Sequence, residues 1–111
     1  MAIELTKPWR TLDPETVRAV PGNLGVYELG DGDGRVAYVG FAGGRSTFGL
    51  RSELERHLGN LTGATRFRYE LNQQYHSRYR ELLMAHVARD GELPPMNRTE
   101  RPVPLGRLSP R

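Results

Sequence analysis

Strand-like patterns of apolar and polar residues occupy three places in the sequence. β-Branched and aromatic residues are concentrated in two runs, LGVYEL and RVAYVGF, and the acidic, glycine-rich stretch between them is typical of a hairpin turn. A third run, TRFRYEL, alternates with the period of two expected for a half-buried strand. The first two strands must be antiparallel, because so short a turn cannot connect parallel neighbours.

Helical patterns occupy most of the remaining sequence. A short helix is predicted in TLDPETVRAVPG, where Asp13 is a good N-cap. Leucines recur every four residues in STFGLRSELERHLGN, and the longest helical pattern is HSRYRELLMAHVARDG, which Gly91 ends. This order predicts an α+β fold, in which a small three-stranded antiparallel sheet is flanked by helices in the order α-β-β-α-β-α.

The hairpin turn has a geometric consequence for two tyrosines. A loop of two residues and a loop of four residues have the same centre here, and either places Tyr27 directly opposite Tyr38. A one-residue bulge, which is common in glycine-rich hairpins, would break this match. Leu29 and Val36 are expected on the same face of the sheet. The tyrosine pair is explained either by an ordinary cross-strand contact or by a site that uses two phenols.

The composition is that of one domain with no membrane or secretory features. The chain has 111 residues, no cysteine and no apolar run near the ~20 residues that span a bilayer. Because the N-terminus lacks a secretory signal pattern, we expect a cytoplasmic location and no membrane partner. One domain is predicted over residues 1–97, with its core at about 21–97, and a basic, flexible Pro/Arg-rich tail over residues 98–111. The prolines of ELPPMN predict an extended segment before the tail.

Basic charge is concentrated in the predicted tail. The chain has a net charge of +3, and the tail carries four arginines against one glutamate, so residues 1–97 have no net charge. Phosphate binding would therefore need a local basic cluster together with the tail. The glycines after the second strand do not predict a Walker-type phosphate loop, since Val39 stands where that motif needs its first glycine and Arg45 where it needs lysine.

Two tyrosine triplets occur in an order that is typical of a known family. Gly25-Val26-Tyr27 and Tyr38-Val39-Gly40 are followed by a helix, a strand, a helix that contains Glu81, and finally Asn97. In these features the chain resembles the GIY-YIG nuclease superfamily, over roughly residues 21 to 97. The resemblance implies a three-stranded antiparallel sheet flanked by helices, which agrees with the pattern of the sequence.

The resemblance also implies a reaction and a cofactor. The reaction is hydrolysis of nucleic-acid phosphodiester bonds, with DNA favoured over RNA, and the cofactor is one divalent ion, Mg²⁺ or Mn²⁺. Tyr27 and Tyr38 match the two tyrosines of the motif, one of which helps to activate the attacking water. Glu81 matches the metal ligand. A phenol, whose ordinary pKa is near 10, would need a neighbouring metal or arginine to act as a base near pH 7.

Glu53 departs from the pattern of the family. It stands where the first helix after the hairpin is expected to carry a phosphate-binding arginine, and a carboxylate there repels phosphate. Arg56 lies one turn further on the same face and could compensate, while His57 could take part in proton transfer. The candidate catalytic residues are Tyr27, Tyr38, Arg56, His57 and Glu81.

Arginines near the predicted site are candidates for binding the nucleic-acid backbone. Arg66 and Arg68 are two residues apart on the third strand and share a face. Tyr75 and Tyr79, four residues apart on a helix, are expected to pack as a pair in the core, and the alternative is that they stack on bases. The candidate nucleic-acid-binding residues are Arg45, Arg51, Arg66, Arg68 and Asn97.

Three classes of function remain open at the level of the sequence. The first is a small metal-dependent endonuclease. The second is a GIY-YIG-fold module that binds nucleic acid or protein and has lost cleavage, which Glu53 favours. The third is an unrelated α+β interaction protein whose triplets are coincidental. A nuclease without a DNA-reading domain would obtain its specificity from a protein partner or from the tail.

Overall fold

The computed structural model describes residues 4–44, 46–58 and 63–98, and these form an α+β fold. The predicted fold class is confirmed. The elements in chain order are β1 (Arg10–Thr11), α1 (Pro14–Arg18), β2 (Gly25–Gly30), β3 (Val36–Ala42), α2 (Gly49–Leu58), β4 (Arg66–Leu71), α3 (Tyr75–Asp90) and α4 (Pro95–Arg98). The predicted tail lies outside the described residues except for Arg98, the last residue of α4. No described helix combines the length and the apolar character that crossing a bilayer requires.

The sheet has four antiparallel strands in the order β1-β4-β2-β3. Three of them are the strands predicted from the sequence. The additional strand, β1, pairs Arg10 with Phe67 and Thr11 with Arg66. Two residues are too few to show alternation, so the sequence pattern could not reveal this strand. The addition covers β4 and leaves β3 as a long edge strand.

The sheet separates two apolar clusters. One face packs against α1 and α2, and its buried residues include Val17, Leu50, Leu54, Tyr27 and Tyr38. The opposite face packs against α3, and its buried residues are Leu5, Val26, Val39, Tyr79, Leu82 and Leu83. Neighbouring residues of β2 and β3 thus point to different layers, as the period of a strand requires.

The ends of the helices follow from local sequence. The carboxylate of Asp13 accepts a hydrogen bond from the backbone N–H of Thr16 at 2.7 Å and caps α1, as predicted. Gly91 ends α3 in the left-handed conformation, with φ of 85°, as predicted. The predicted extended form of ELPPMN is wrong at its end, where Pro95 begins a short helix. A proline suits the first turn because its missing N–H would have no partner inside the helix.

The predicted register of the hairpin is wrong by two residues. Tyr27 lies opposite Gly40, and Tyr38 lies opposite Leu29. The loop is longer than predicted because the carboxylate of Asp31 accepts hydrogen bonds from the N–H groups of Asp33 and Arg35. A shift of two residues preserves the face, so the two tyrosines still lie on the same side of the sheet. Their ring centroids are 6.0 Å apart.

A β-bulge changes the face of one predicted partner. Leu29 pairs with Tyr38 but Gly30 pairs with Val36, which leaves Ala37 as an extra residue in β3. Val36 therefore packs against the apolar cluster on the side of α3. The prediction that it lies on the same face as the tyrosines is wrong. Leu29 does share the tyrosine face, as predicted.

Candidate active site at the edge of the sheet

A cavity of about 570 Å³ opens at the edge strand β3, between α2 and α3. It receives side chains from both faces of the sheet, because no further strand of the described residues covers this edge. Among the described residues, its lining is formed by Tyr27, Tyr38, Gly40, Phe41, Gly43, Gly44, Ser46, Glu53, Arg56, Tyr75, His76 and Tyr79.

Each triplet contains a glycine that has a steric reason to be there. A Cβ atom on Gly40 would lie 2.4 Å from Cζ of Tyr27, so only glycine lets the tyrosine ring lie across β3. A Cβ atom on Gly25 would lie 2.2 Å from the backbone oxygen of Glu70 on β4. The two glycines thus allow close packing of the strands and fix the position of the Tyr27 phenol.

The phenol of Tyr27 forms a hydrogen bond with a buried histidine. Its oxygen lies 2.8 Å from Nε2 of His57, which α2 presents on the same face as Leu50 and Leu54. The ring of Tyr38 packs beside His57, with centroids 4.9 Å apart. Tyr27 is fully buried and His57 is 5% exposed. The structure therefore brings three of the predicted catalytic residues into direct contact.

Burial keeps His57 neutral. Burial first, and then the positive charge of Arg56, lower the pKa of His57 from 6.5 to about 4, and Glu53 opposes this shift only partly. A neutral imidazole has one acceptor nitrogen, so Tyr27 can donate to Nε2 when the ring proton is on Nδ1. His57 is thereby placed to accept the proton of the phenol.

Arg56 lies at the cavity as predicted, but a carboxylate already engages it. Its Nη2 donates to Oε1 of Glu53 at 2.8 Å, and the hydroxyl of Ser46 donates to Oε2 of the same carboxylate at 2.7 Å. Its hydrogen bond with Glu53 raises the pKa of Arg56, to which Tyr27 and Tyr38 add smaller effects. The unexpected Glu53 thus holds the nearest positive charge at the mouth of the cavity.

Glu81, the predicted metal ligand, lies outside this cavity. Its carboxylate accepts a hydrogen bond at 2.5 Å from Arg78, which also donates to Glu70. Among the described residues that line the cavity, Glu53 supplies the one carboxylate, and both of its oxygens are engaged. The described part of the chain also contains no group of three or more His, Cys, Asp or Glu that could hold a metal ion. A divalent ion held through Glu81 would therefore lie outside the described lining of this cavity.

Among the described residues, the arginines predicted to bind the nucleic-acid backbone do not line the cavity. Arg51 donates from Nε to the backbone oxygen of Val20 at 2.9 Å, on the side of α1. Arg68 donates to Glu28 at 2.8 Å, and its guanidinium lies 4.1 Å from the centre of the Trp9 ring. The exposed Arg66 lies two residues away on β4. Arg45 lies outside the described residues.

Asn97 is buried against the edge strand. Its Oδ1 accepts a hydrogen bond from the N–H of Val39 at 2.8 Å, and its Nδ2 donates to the oxygen of Val39 at 2.9 Å. The amide thus pairs with β3 as a neighbouring strand would and covers part of its open edge. This use of the side chain gives Asn97 a structural role next to the cavity.

One family model covers the part of the chain that lines the cavity. A family model described as "Domain of unknown function (DUF7508)" matches residues 3–89, which is more than half of the chain. The chain belongs to this family. No curated protein and no solved structure matches the chain. The DUF7508 match includes both triplets, α2 and most of α3, so the cavity belongs to the family domain.

In this DUF7508 domain, the aromatic wall of the cavity was not among the predicted site residues. Phe41 of β3 contacts both Tyr75 and Tyr79 of α3, with ring centroids 5.6 Å and 4.9 Å away. Tyr79 is buried, as expected for a packing residue, whereas Tyr75 is half-buried at the cavity. The available sequence signal was that Phe41 directly follows Gly40, the last residue of the second triplet. Its contacts with Tyr75 and Tyr79 on α3 could be identified only from the tertiary structure.

Proposed function

We propose that the protein hydrolyses phosphodiester bonds of nucleic acid, with DNA favoured over RNA, and that the cavity at β3 is the active site. The observation that carries this proposal is the hydrogen bond between Tyr27 and the neutral, buried His57, next to Tyr38 and within the reach of Arg56. A phenol that is hydrogen-bonded to a neutral imidazole can accept a proton from an attacking water while it passes its own proton to the imidazole.

The proton path follows from these contacts. As a water oxygen bonds to phosphorus, its proton passes to Tyr27 while the phenol proton passes to Nε2 of His57. The bond between phosphorus and the leaving oxygen breaks, and that oxygen takes a proton from solvent at the open side. A bound phosphate also places a negative charge opposite Arg56, which raises the pKa of His57 and makes it a stronger base.

Arg56 is the residue best placed to bind the reacting phosphate. A guanidinium offers five N–H donors in a planar fork that matches phosphate oxygens and stabilises charge as it develops. The hydrogen bond to Glu53 uses Nη2, so contact with phosphate would require this pair to rearrange or the phosphate to approach its other donors. The divalent ion and the cytoplasmic location both stay predictions from the sequence.

The second candidate function is a module that binds nucleic acid without cleaving it. Its support is the pairing of Arg56 with Glu53, which neutralises the positive charge where a phosphate would lie. The position of Glu81 outside the cavity gives further support, because the metal site implied by the family resemblance is then incomplete.

One set of reactions separates the two candidates. The wild-type protein is incubated with supercoiled plasmid and with a labelled single strand, in Mg²⁺, in Mn²⁺ and in EDTA. A Tyr27→Phe variant purified in parallel controls for contaminating nucleases. We expect cleavage by the wild type that the variant has lost. Salt-sensitive binding with no cleavage under any condition would instead establish the binding module.

A further inference from the structure

A cluster of three aromatic rings forms the α3 side of the cavity. Phe41 and Tyr75 are stacked, with ring centroids 5.6 Å apart and planes inclined by 17°. The ring of His76 lies 4.9 Å from Phe41 and 4.8 Å from Tyr75. Phe41 and Tyr75 are half-buried and His76 is exposed, so the cluster is open to a ligand from the cavity. Phe41 and Tyr75 pack against the edge of the core on the side of α3, whereas Tyr79 is buried within it.

Glycines keep the approach to this cluster clear. A Cβ atom on Gly43 would lie 2.9 Å from Cε1 of Tyr75, so a larger residue there would displace the ring. The next residue, Gly44, has no neighbour within 4 Å of its would-be Cβ. Gly43 and Gly44 therefore pass close to the rings without adding side chains of their own.

The ring cluster and the catalytic dyad lie on opposite faces of the sheet but share one cavity. Tyr27 belongs to the α2 side, whereas Phe41 and Tyr75 belong to the α3 side. The cavity joins them around the edge of β3, since residues from both faces line it. A ligand that occupies the whole cavity contacts the phenols of Tyr27 and Tyr38 and the guanidinium of Arg56 at one end and aromatic faces at the other.

We propose that the Phe41–Tyr75–His76 cluster stacks an unpaired nucleobase next to the phosphate at Tyr27, so that the substrate is single-stranded nucleic acid. This inference rests on the proposed function, which it makes more specific. A base inside a duplex is covered on both faces by its neighbours, whereas an unpaired base can stack on protein rings. Residues 1–97 have no net charge, so contacts to phosphates alone give limited affinity and stacking supplies the remainder.

The test compares an ordinary strand with an abasic strand. Fluorescence anisotropy measures the Kd of wild-type protein for a labelled single-stranded oligonucleotide, for an abasic oligonucleotide of equal length and charge, and for the corresponding duplex. We expect the abasic strand and the duplex to bind about tenfold more weakly than the ordinary strand, the effect typical of one lost stacking contact.

Two variants locate the contact. His76→Ala removes an exposed ring, and Tyr75→Leu keeps an apolar side chain while removing the aromatic face. Both should weaken binding of the ordinary strand several-fold and leave binding of the abasic strand unchanged. Tyr69→Leu is the matched control, because Tyr69 is half-buried against Phe67, outside the cavity. Circular dichroism confirms that each variant is folded.

The outcomes are distinguishable from those of the proposed function. Equal affinities for the ordinary and abasic strands, or tighter binding of the duplex, would overturn the stacking site even if the protein cleaves DNA. A preference for the ordinary strand that His76→Ala and Tyr75→Leu abolish, without cleavage, would support the stacking site and overturn hydrolysis. Absence of binding to every strand would overturn both.

Discussion

The burial of His57 makes the stability of the protein depend on pH in a defined range. In the folded protein the pKa of His57 is lowered to about 4, mainly by burial and then by Arg56. In the unfolded chain a histidine has its ordinary pKa of about 6.5. Between these two values the unfolded chain binds a proton that the folded protein does not. The stabilising contribution is therefore present above pH 6.5 and is lost as the pH falls toward 4.

The size of this effect follows from the two pKa values. At pH 5 the unfolded histidine is almost fully protonated, whereas His57 in the folded protein is still mostly neutral. The free energy of unfolding should therefore fall by about 2 kcal/mol between pH 7.5 and pH 5 because of this one residue. Further acidification to below pH 4 brings the loss to about 3 kcal/mol. A domain of this size has a total stability of only about 5–15 kcal/mol, so the loss is easily measured.

The assay is urea unfolding at several pH values, with His57→Gln as the comparison. Glutamine is neutral throughout the range and can still form a hydrogen bond with Tyr27, while every other titrating group is common to both proteins. Between pH 7.5 and pH 5 the free energy of unfolding should fall by about 2 kcal/mol more for the wild type than for the variant. This difference corresponds to a decrease of roughly 1 M in the urea concentration at the midpoint of unfolding. Parallel pH profiles for the two proteins would refute the burial of a neutral His57.

Two further substitutions test the packing and the charge of the site. Gly40→Ala should lower stability by about 1–3 kcal/mol, because the new methyl group meets the Tyr27 ring, whereas Gly32→Ala in the open turn should be neutral; thermal unfolding compares the two, and equal melting temperatures would contradict the steric argument. Glu53→Gln should strengthen binding of a single-stranded oligonucleotide about fivefold, because a carboxylate near a phosphate costs about 1 kcal/mol in water. Anisotropy measures this effect, and unchanged affinity would show that the Glu53–Arg56 pair does not oppose phosphate.

The fold was predictable because its signals are local. Period-two and leucine patterns identified β2, β3, β4 and the long helices, and Asp13 and Gly91 identified two helix ends. A bulge was expected as a possibility in so glycine-rich a hairpin, but its position at Ala37 could not be read from the sequence pattern. The prediction that Tyr27 and Tyr38 lie on the same face of the sheet is confirmed only because a register shift of two residues preserves the face.

The site was predictable in part, on the side of the cavity that the hairpin and α2 form. Arg56 and His57 on α2 are in contact with their predicted neighbours. The direction in which α3 turns its side chains is decided by tertiary packing, and this packing places Tyr75 at the cavity and Glu81 outside it. Asn97 likewise has its partner, Val39, far away in sequence. Contacts of this kind require the assembled fold.

The most direct test of the account removes one oxygen atom from the cavity. Tyr27→Phe keeps the buried ring and deletes the hydroxyl that bonds to His57, while Tyr69→Phe deletes a hydroxyl outside the cavity. Single-turnover cleavage and Kd are measured on the same labelled single strand. The account predicts that Tyr27→Phe cleaves at least about 100-fold more slowly with nearly unchanged Kd, and that Tyr69→Phe matches the wild type. Cleavage by Tyr27→Phe at the wild-type rate would contradict it.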